Sequence, residues 1–127
     1  MNPKRLDEEF EYLLKKHGPA IVVTLMGPIN HTAISKLEGL RNDIAEFQDV
    51  FLFIFNFKGV PRVSLDAFGE IVKVQMAIRE REGAKLLIAE INQEVKTKLL
   101  KEGIIRTHEL TDDLKVALTQ ISLGEKK

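Results

Sequence analysis

Val63-Ser64-Leu65-Asp66-Ala67-Phe68-Gly69 places a hydroxyl and a carboxylate two residues apart at the start of a helical pattern that lasts to about Arg81. The segment follows an unbroken apolar run, Val50 to Phe55, and the turn residues Lys58-Gly59-Val60-Pro61. A joint between a buried strand and a helix carries outward-pointing backbone N–H groups, so folds of this kind hold a functional anion there or bind one. Asp66 is suited to be that anion. It is equally suited to cap the helix or to sit in its first turn, a role worth roughly 0.5 to 2 kcal/mol. Ser64 is the other candidate cap.

Other chemistries lack their residues. His17, His31 and His108 stand in separate turns or strand ends with no acidic or histidine partner at ligand spacing, so no metal site is expected. The chain has no cysteine, no nucleophile elbow and no glycine-rich phosphate loop. Asp112-Asp113 fits helix capping better than paired-carboxylate catalysis. We therefore expect no catalytic residue, no cofactor and no enzyme activity. Lysine plus arginine equals aspartate plus glutamate at 19 each, so no global field draws the chain to nucleic acid or an anionic membrane. The apolar runs fall far short of the ~18 residues a membrane span needs. Met1 to Glu11 lacks the apolar stretch of a secretion signal, and a cytoplasmic location is the expectation.

The elements that must position Asp66 follow from periodicity. Leu6, Phe10, Leu13 and Leu14 leave helix and strand open, but Gly18-Pro19 favours a hairpin of an edge strand, Glu8 to Lys16, with Ala20 to Met26. From Ala33 a helix shows Ala33, Leu37, Leu40, Ile44 and Phe47 on one face, with Asn30 or Thr32 as its cap. Val50 to Phe55 has no polar alternation and reads as a central parallel strand buried on both faces. On the helix from Asp66 the polar sector holds Asp66, Glu70, Lys73 and Glu80. Its apolar arc, including Val72 and Met76, is wider than packing on one sheet requires, leaving surface for a partner or for a neighbouring helix. Gly83 ends that helix, and Ala84 to Ala89 is a strand. Asn92 caps a helix through Lys101, Gly103 stops it, and Ile104 to Thr107 suits a last short strand. Thr111-Asp112-Asp113 opens a terminal helix with Leu114, Ala117, Leu118 and Ile121 inward. The order predicts an α/β fold, a mostly parallel sheet of four to five strands with the N-terminal strand as an antiparallel edge and about four helices. One domain is expected over residues 8–123, with flexible tails at 1–7 and 124–127.

Four stretches in this order resemble the STAS domain family, the anti-sigma-factor antagonists and their relatives: Val22 to Asn30, Phe53 to Val60, Val63 to Gly69 and Glu82 to Ala89. The family commonly shows Leu-x-Gly-x-Leu-Asp, Asp-Leu-Ser-Gly-Val, Asp-Ser-Ser-Gly-Leu-Gly and a Gly-x-x-Leu strand at these places. The resemblance covers roughly Phe10 to Ile121 and implies that the serine phosphorylated by a partner kinase is replaced here by Asp66, with Ser64 the alternative acceptor. A carboxylate carries one negative charge where phosphoserine carries about 1.5 to 2, so it is a partial mimic. Asn30 and Asn56 replace the family's acidic residues, and neutral amides avoid repelling a permanent anion. The implied function is a non-enzymatic interaction module that binds a kinase-like anti-sigma factor, a serine kinase of the GHKL type, or a larger STAS assembly. It implies partner switching in transcription regulation, with Asp66 in a variant that does not switch by serine phosphorylation. The implied contact surface is Asn30, Asn56, Lys58, Gly59, Val60, Ser64, Asp66, Ala67, Gly69, Val72 and Met76, and a homodimer is left open. Two other functions remain: a STAS-type subunit of a lipid-transport ABC complex, and an anion- or nucleotide-sensing domain.

Overall fold

The structure, a computed structural model, describes residues 9–111, 114–116 and 118–119. Strand β1 (Glu11–His17) turns at Gly18 into antiparallel β2 (Ala20–Met26), and β3 (Leu52–Gly59) and β4 (Lys85–Ala89) add in parallel. The spatial order is β1-β2-β3-β4. Between the parallel strands lie α1 (Ile34–Glu46) and α2 (Phe68–Arg79), and α3 (Gln93–Lys101) follows β4. Short 3₁₀ turns, His31–Ala33 and Leu65–Ala67, lead into α1 and α2. Residues 114–116 and 118–119 are helical, as expected; the first-turn acids Asp112 and Asp113, Ala117, Ile121 and the whole of the expected 1–7 and 124–127 tails lie outside the described residues.

Central position explains the unbroken apolar runs. Phe53, Phe55 and Phe57 of β3 face a core built with Leu37, Leu40 and Ile44 of α1, Ile71, Val74 and Ile78 of α2, and Val95 and Leu99 of α3. Ile54 points the other way, joining Ala20, Val22 and Ala89, and Leu114 and Leu118 pack on that second face. Burying both faces removes the need for alternation. Arg81 closes the join from α1 to β3, donating to the carbonyls of Ile44, Phe47 and Val50 at 2.8 Å each while its guanidinium lies 5.3 Å from the Phe53 ring centroid. These bonds tie the last turn of α1 to the loop that leads into β3.

The structure corrects several expectations. β1 begins at Glu11, not Glu8, and β3 begins at Leu52, so Phe51 precedes the strand and is 46% exposed in a groove beside Ala45 and Ala77. Phe47 lies at the C-cap of α1, where it is also exposed. The α2 helix ends at Arg79, and Gly83 serves the turn beyond it. Glu70, placed on a polar sector by periodicity, is buried, because Arg41 of α1 approaches it at 3.6 Å and Lys73 at 3.9 Å. Ile104 to Thr107 is no strand. Gly103 adopts φ +72° and Ile104 N–H returns to the Leu99 carbonyl, which buries both isoleucines as a wedge; only Leu110 forms a bridge, with Ile88.

Tyr12 on β1 donates to Asp43 of α1 at 2.7 Å. Burial, then the bond to Asp43 and its charge, push the phenol up from 10.0 to about 12. A proton held more tightly in the folded state stabilises fully below pH ~10 and is lost as pH rises through ~12. Tyr12 is the sole tyrosine, so a near-ultraviolet absorbance titration reads it directly. The expected midpoint is near 12 in the native protein and falls part of the way toward 10 in Asp43→Ala, where burial still acts; a midpoint unchanged by Asp43→Ala would show that the bond to Asp43 is not held.

Candidate functional site

The two loops that leave the carboxyl ends of β2 and β3 run side by side as an extension of the sheet. Gly27 N–H donates to the Gly59 carbonyl at 2.8 Å, Ile29 N–H to Arg62 at 3.0 Å, and Ser64 N–H to Ile29 at 2.8 Å, with Ile29 bridged in parallel to Val63. Such close approach restricts side chains. Gly27 has φ +93°, and a Cβ there would lie 2.6 Å from the Glu9 carbonyl oxygen; one on Gly59 would lie 3.1 Å from that of Leu25. The pairing sets the turn His31–Ala33 against the turn Leu65–Ala67.

Asn30 organises the first turn: its Oδ1 accepts from the Thr32 backbone at 3.0 Å and from the Thr32 hydroxyl. His31 follows, its Nδ1 3.9 Å from Oδ2 of Asp66, both side chains being more than two-thirds exposed. Asp66 makes no cap. Ser64 occupies the N-cap position of the second turn, but its side chain makes no cap bond either, and Ala67 occupies that of α2. Beside Asp66 stands Leu65, 68% exposed, an unusual position for a leucine within a tightly paired loop.

Of the residues named from sequence, Asn30, Ser64 and Asp66 are brought together. Val60 and Ala67 are in the core and offer no surface. Lys58 and Gly59 end β3 instead of forming a loop. Asn56 lies between Phe55 and Phe57, so its side chain faces the opposite side of the sheet from α2, where it accepts from Lys58 N–H at 3.0 Å. Gly69 is exposed in the first turn of α2. Val72 is half-buried and Met76 is 43% exposed, about 12 Å along the axis from the start of α2, and α1 covers much of the remaining arc.

Three contributors escaped sequence reasoning. His31 gave no signal because its partner is 35 positions away. Asn92 caps α3 through Val95 N–H, as expected, but also donates Nδ2 to the carbonyls of Val60 and Pro61 at 3.1 and 3.3 Å. Lys98 of α3 donates to the Val63 carbonyl at 2.6 Å and lies 5.8 Å from the Phe68 ring centroid. Together they brace the loop that carries Asp66. Among the described residues no group of three or more histidine or acidic side chains is placed to hold a metal.

Residues 11–117 match the STAS domain family. This chain belongs to the STAS domain family. The match carries the fold expectation with it: a four-stranded mixed sheet, β1 antiparallel to β2 and the rest parallel, with helices packed on it. Among solved structures, this STAS domain is similar to an anti-sigma factor antagonist from Mycobacterium paratuberculosis at 15% identity, covering 91% of this chain and 96% of that one with a TM-score of 0.72. The phosphorylated Bacillus cell fate determinant SpoIIAA aligns at 12% identity over 87% and 99% of the chains, TM-score 0.67. A sulfate transporter family protein from Wolinella succinogenes aligns at 18% identity over 89% and 93%, TM-score 0.72. No curated protein matches the sequence. No described helix is long and apolar enough to cross a membrane.

Proposed function

We propose that this STAS domain is a non-enzymatic, cytoplasmic protein-interaction module of the anti-sigma-antagonist type, docking on a kinase-like anti-sigma factor through the paired turns at the carboxyl ends of β2 and β3. The observation that carries this reading is the juxtaposition of Leu65, 68% exposed, with the Asp66 carboxylate, which is 67% exposed and spends no bond on capping. An apolar side chain beside a fixed charge is what a specific protein contact uses: the one anchors, the other selects. Asp66 is then a built-in partial mimic of phosphoserine, and the domain does not switch by phosphorylation at that position. A second reading, an accessory domain of a transporter, draws support from the likeness to the sulfate transporter family protein.

Capture of partners from native lysate with mass spectrometry separates the two readings, an anti-sigma factor supporting the first and a transporter subunit the second. Calorimetric titration of the captured partner against wild type and Asp66→Ser then tests the site. Where phosphate drives release of the partner, removing the fixed charge tightens binding, and we expect a gain of roughly 1 to 3 kcal/mol. Thermal stability should hardly change, since Asp66 caps nothing. Equal affinities would remove Asp66 from the contact.

A further inference from the structure

The amino-terminal end of β4, at the opposite pole of the sheet from Asp66, borders a cavity of about 170 Å³ walled by Arg79, Lys85, Leu86, Arg106, His108 and Glu109 among others. We propose that this cavity is a binding site for a phosphate-sized oxyanion, independent of the contact at Asp66.

The balance of charge comes first. Glu109, the sole acid in the wall, is fully committed: it accepts from Arg79 Nε at 2.8 Å, from Arg79 Nη2 at 2.6 Å and from Arg106 N–H at 3.0 Å. It leaves nothing for the side chains of Lys85, Arg106 and His108, none of which has an ion pair among the described residues. Among the described residues, two fixed cations and a histidine thus face one cavity without a counter-charge.

A backbone donor completes the site. Lys85 N–H donates to the Phe51 carbonyl at 2.7 Å, so Lys85 faces β3, and strand alternation turns the N–H and C=O of Leu86 and Ile88 to the outer edge of β4. The Ile88 carbonyl is taken by Thr111 N–H at 2.9 Å, whereas no backbone carbonyl among the described residues is paired with the Leu86 N–H on the cavity wall. A tetrahedral oxyanion satisfies that donor and the cations together, because its oxygens point in several directions, and a dianion matches their charge. The exposed cations make the affinity modest and dependent on salt.

The test is an amide NMR titration of the whole chain with inorganic phosphate and, in a parallel arm, with a phosphoserine peptide, ionic strength being held constant with chloride. We expect saturable shifts at Lys85 and Leu86 with Kd on the order of 1 mM. Arg106→Gln and Lys85→Gln should each weaken binding about fivefold. The tighter arm identifies the source, a free phosphate or a phosphorylated side chain. Shifts that do not saturate in either arm, or that survive both substitutions combined, overturn the proposal.

Discussion

Glu109→Ala is expected to destabilise the protein by about 3 to 5 kcal/mol, a large share of the stability of a domain this size. The carboxylate is 4% exposed and forms a forked pair with Arg79, itself 17% exposed, which also donates to the Ile104 carbonyl at 3.2 Å. Deleting the acid strands a buried guanidinium and frees Arg106 N–H, so desolvation dominates the loss. Glu109→Gln, which keeps an acceptor oxygen and removes the charge, should lose less. Arg79→Met combined with Glu109→Leu should recover much of the loss, because an apolar pair has no charge to desolvate. Urea denaturation of the four proteins measures this directly. A Glu109→Ala loss below about 1 kcal/mol would mean that water reaches Arg79 and that the pair is a surface feature.

Gly27→Ala should cost about 3 kcal/mol or more, although it adds one methyl group. Two penalties combine: a non-glycine residue at φ +93°, and a Cβ 2.6 Å from a backbone oxygen of Glu9 that no rotamer change can move aside. Relief requires Glu9 and Phe10 to withdraw, and Phe10 is a core residue at 2% exposure. The same displacement shifts the loop bearing Asn30 and His31, so partner binding should weaken along with stability. Gly69→Ala is the matching control. It lies in the first turn of α2 with nothing within 4 Å of the added atom, and should stabilise by about 0.5 to 1 kcal/mol. Melting curves of both variants decide the matter, and a Gly27→Ala protein as stable as wild type would rule out the close approach of Glu9.

What could be read from sequence divides along the range of the interactions. β2 and the body of β3 were legible because burial on both faces writes itself as consecutive apolar residues, and Asn92 was legible as a cap because its partner is three residues on. Glu70 was misplaced because the charge that permits its burial belongs to Arg41 on another helix. Ile104 and Ile105 look like a strand by residue type, yet Gly103 reverses the chain before they can pair. At the site, the Asp66 turn is legible as the joint between a buried strand and a helix. The histidine beside it, the exposure of Leu65 and the bracing by Asn92 and Lys98 depend on contacts between distant segments, which periodicity cannot express.

Because the strands lie in space in the order in which they occur in the chain, each new strand finds its neighbour already in place. During synthesis the β1–β2 hairpin comes first, and β3 and β4 then add one at a time, so assembly can keep pace with the ribosome. The second face of the sheet does not share this advantage. Ala20, Val22, Ile54 and Ala89 wait for Leu114 and Leu118, which follow all four strands in the chain. A nascent or truncated chain that stops short of them presents an uncovered apolar sheet, and that unfinished form is where chaperone engagement and proteolysis should concentrate.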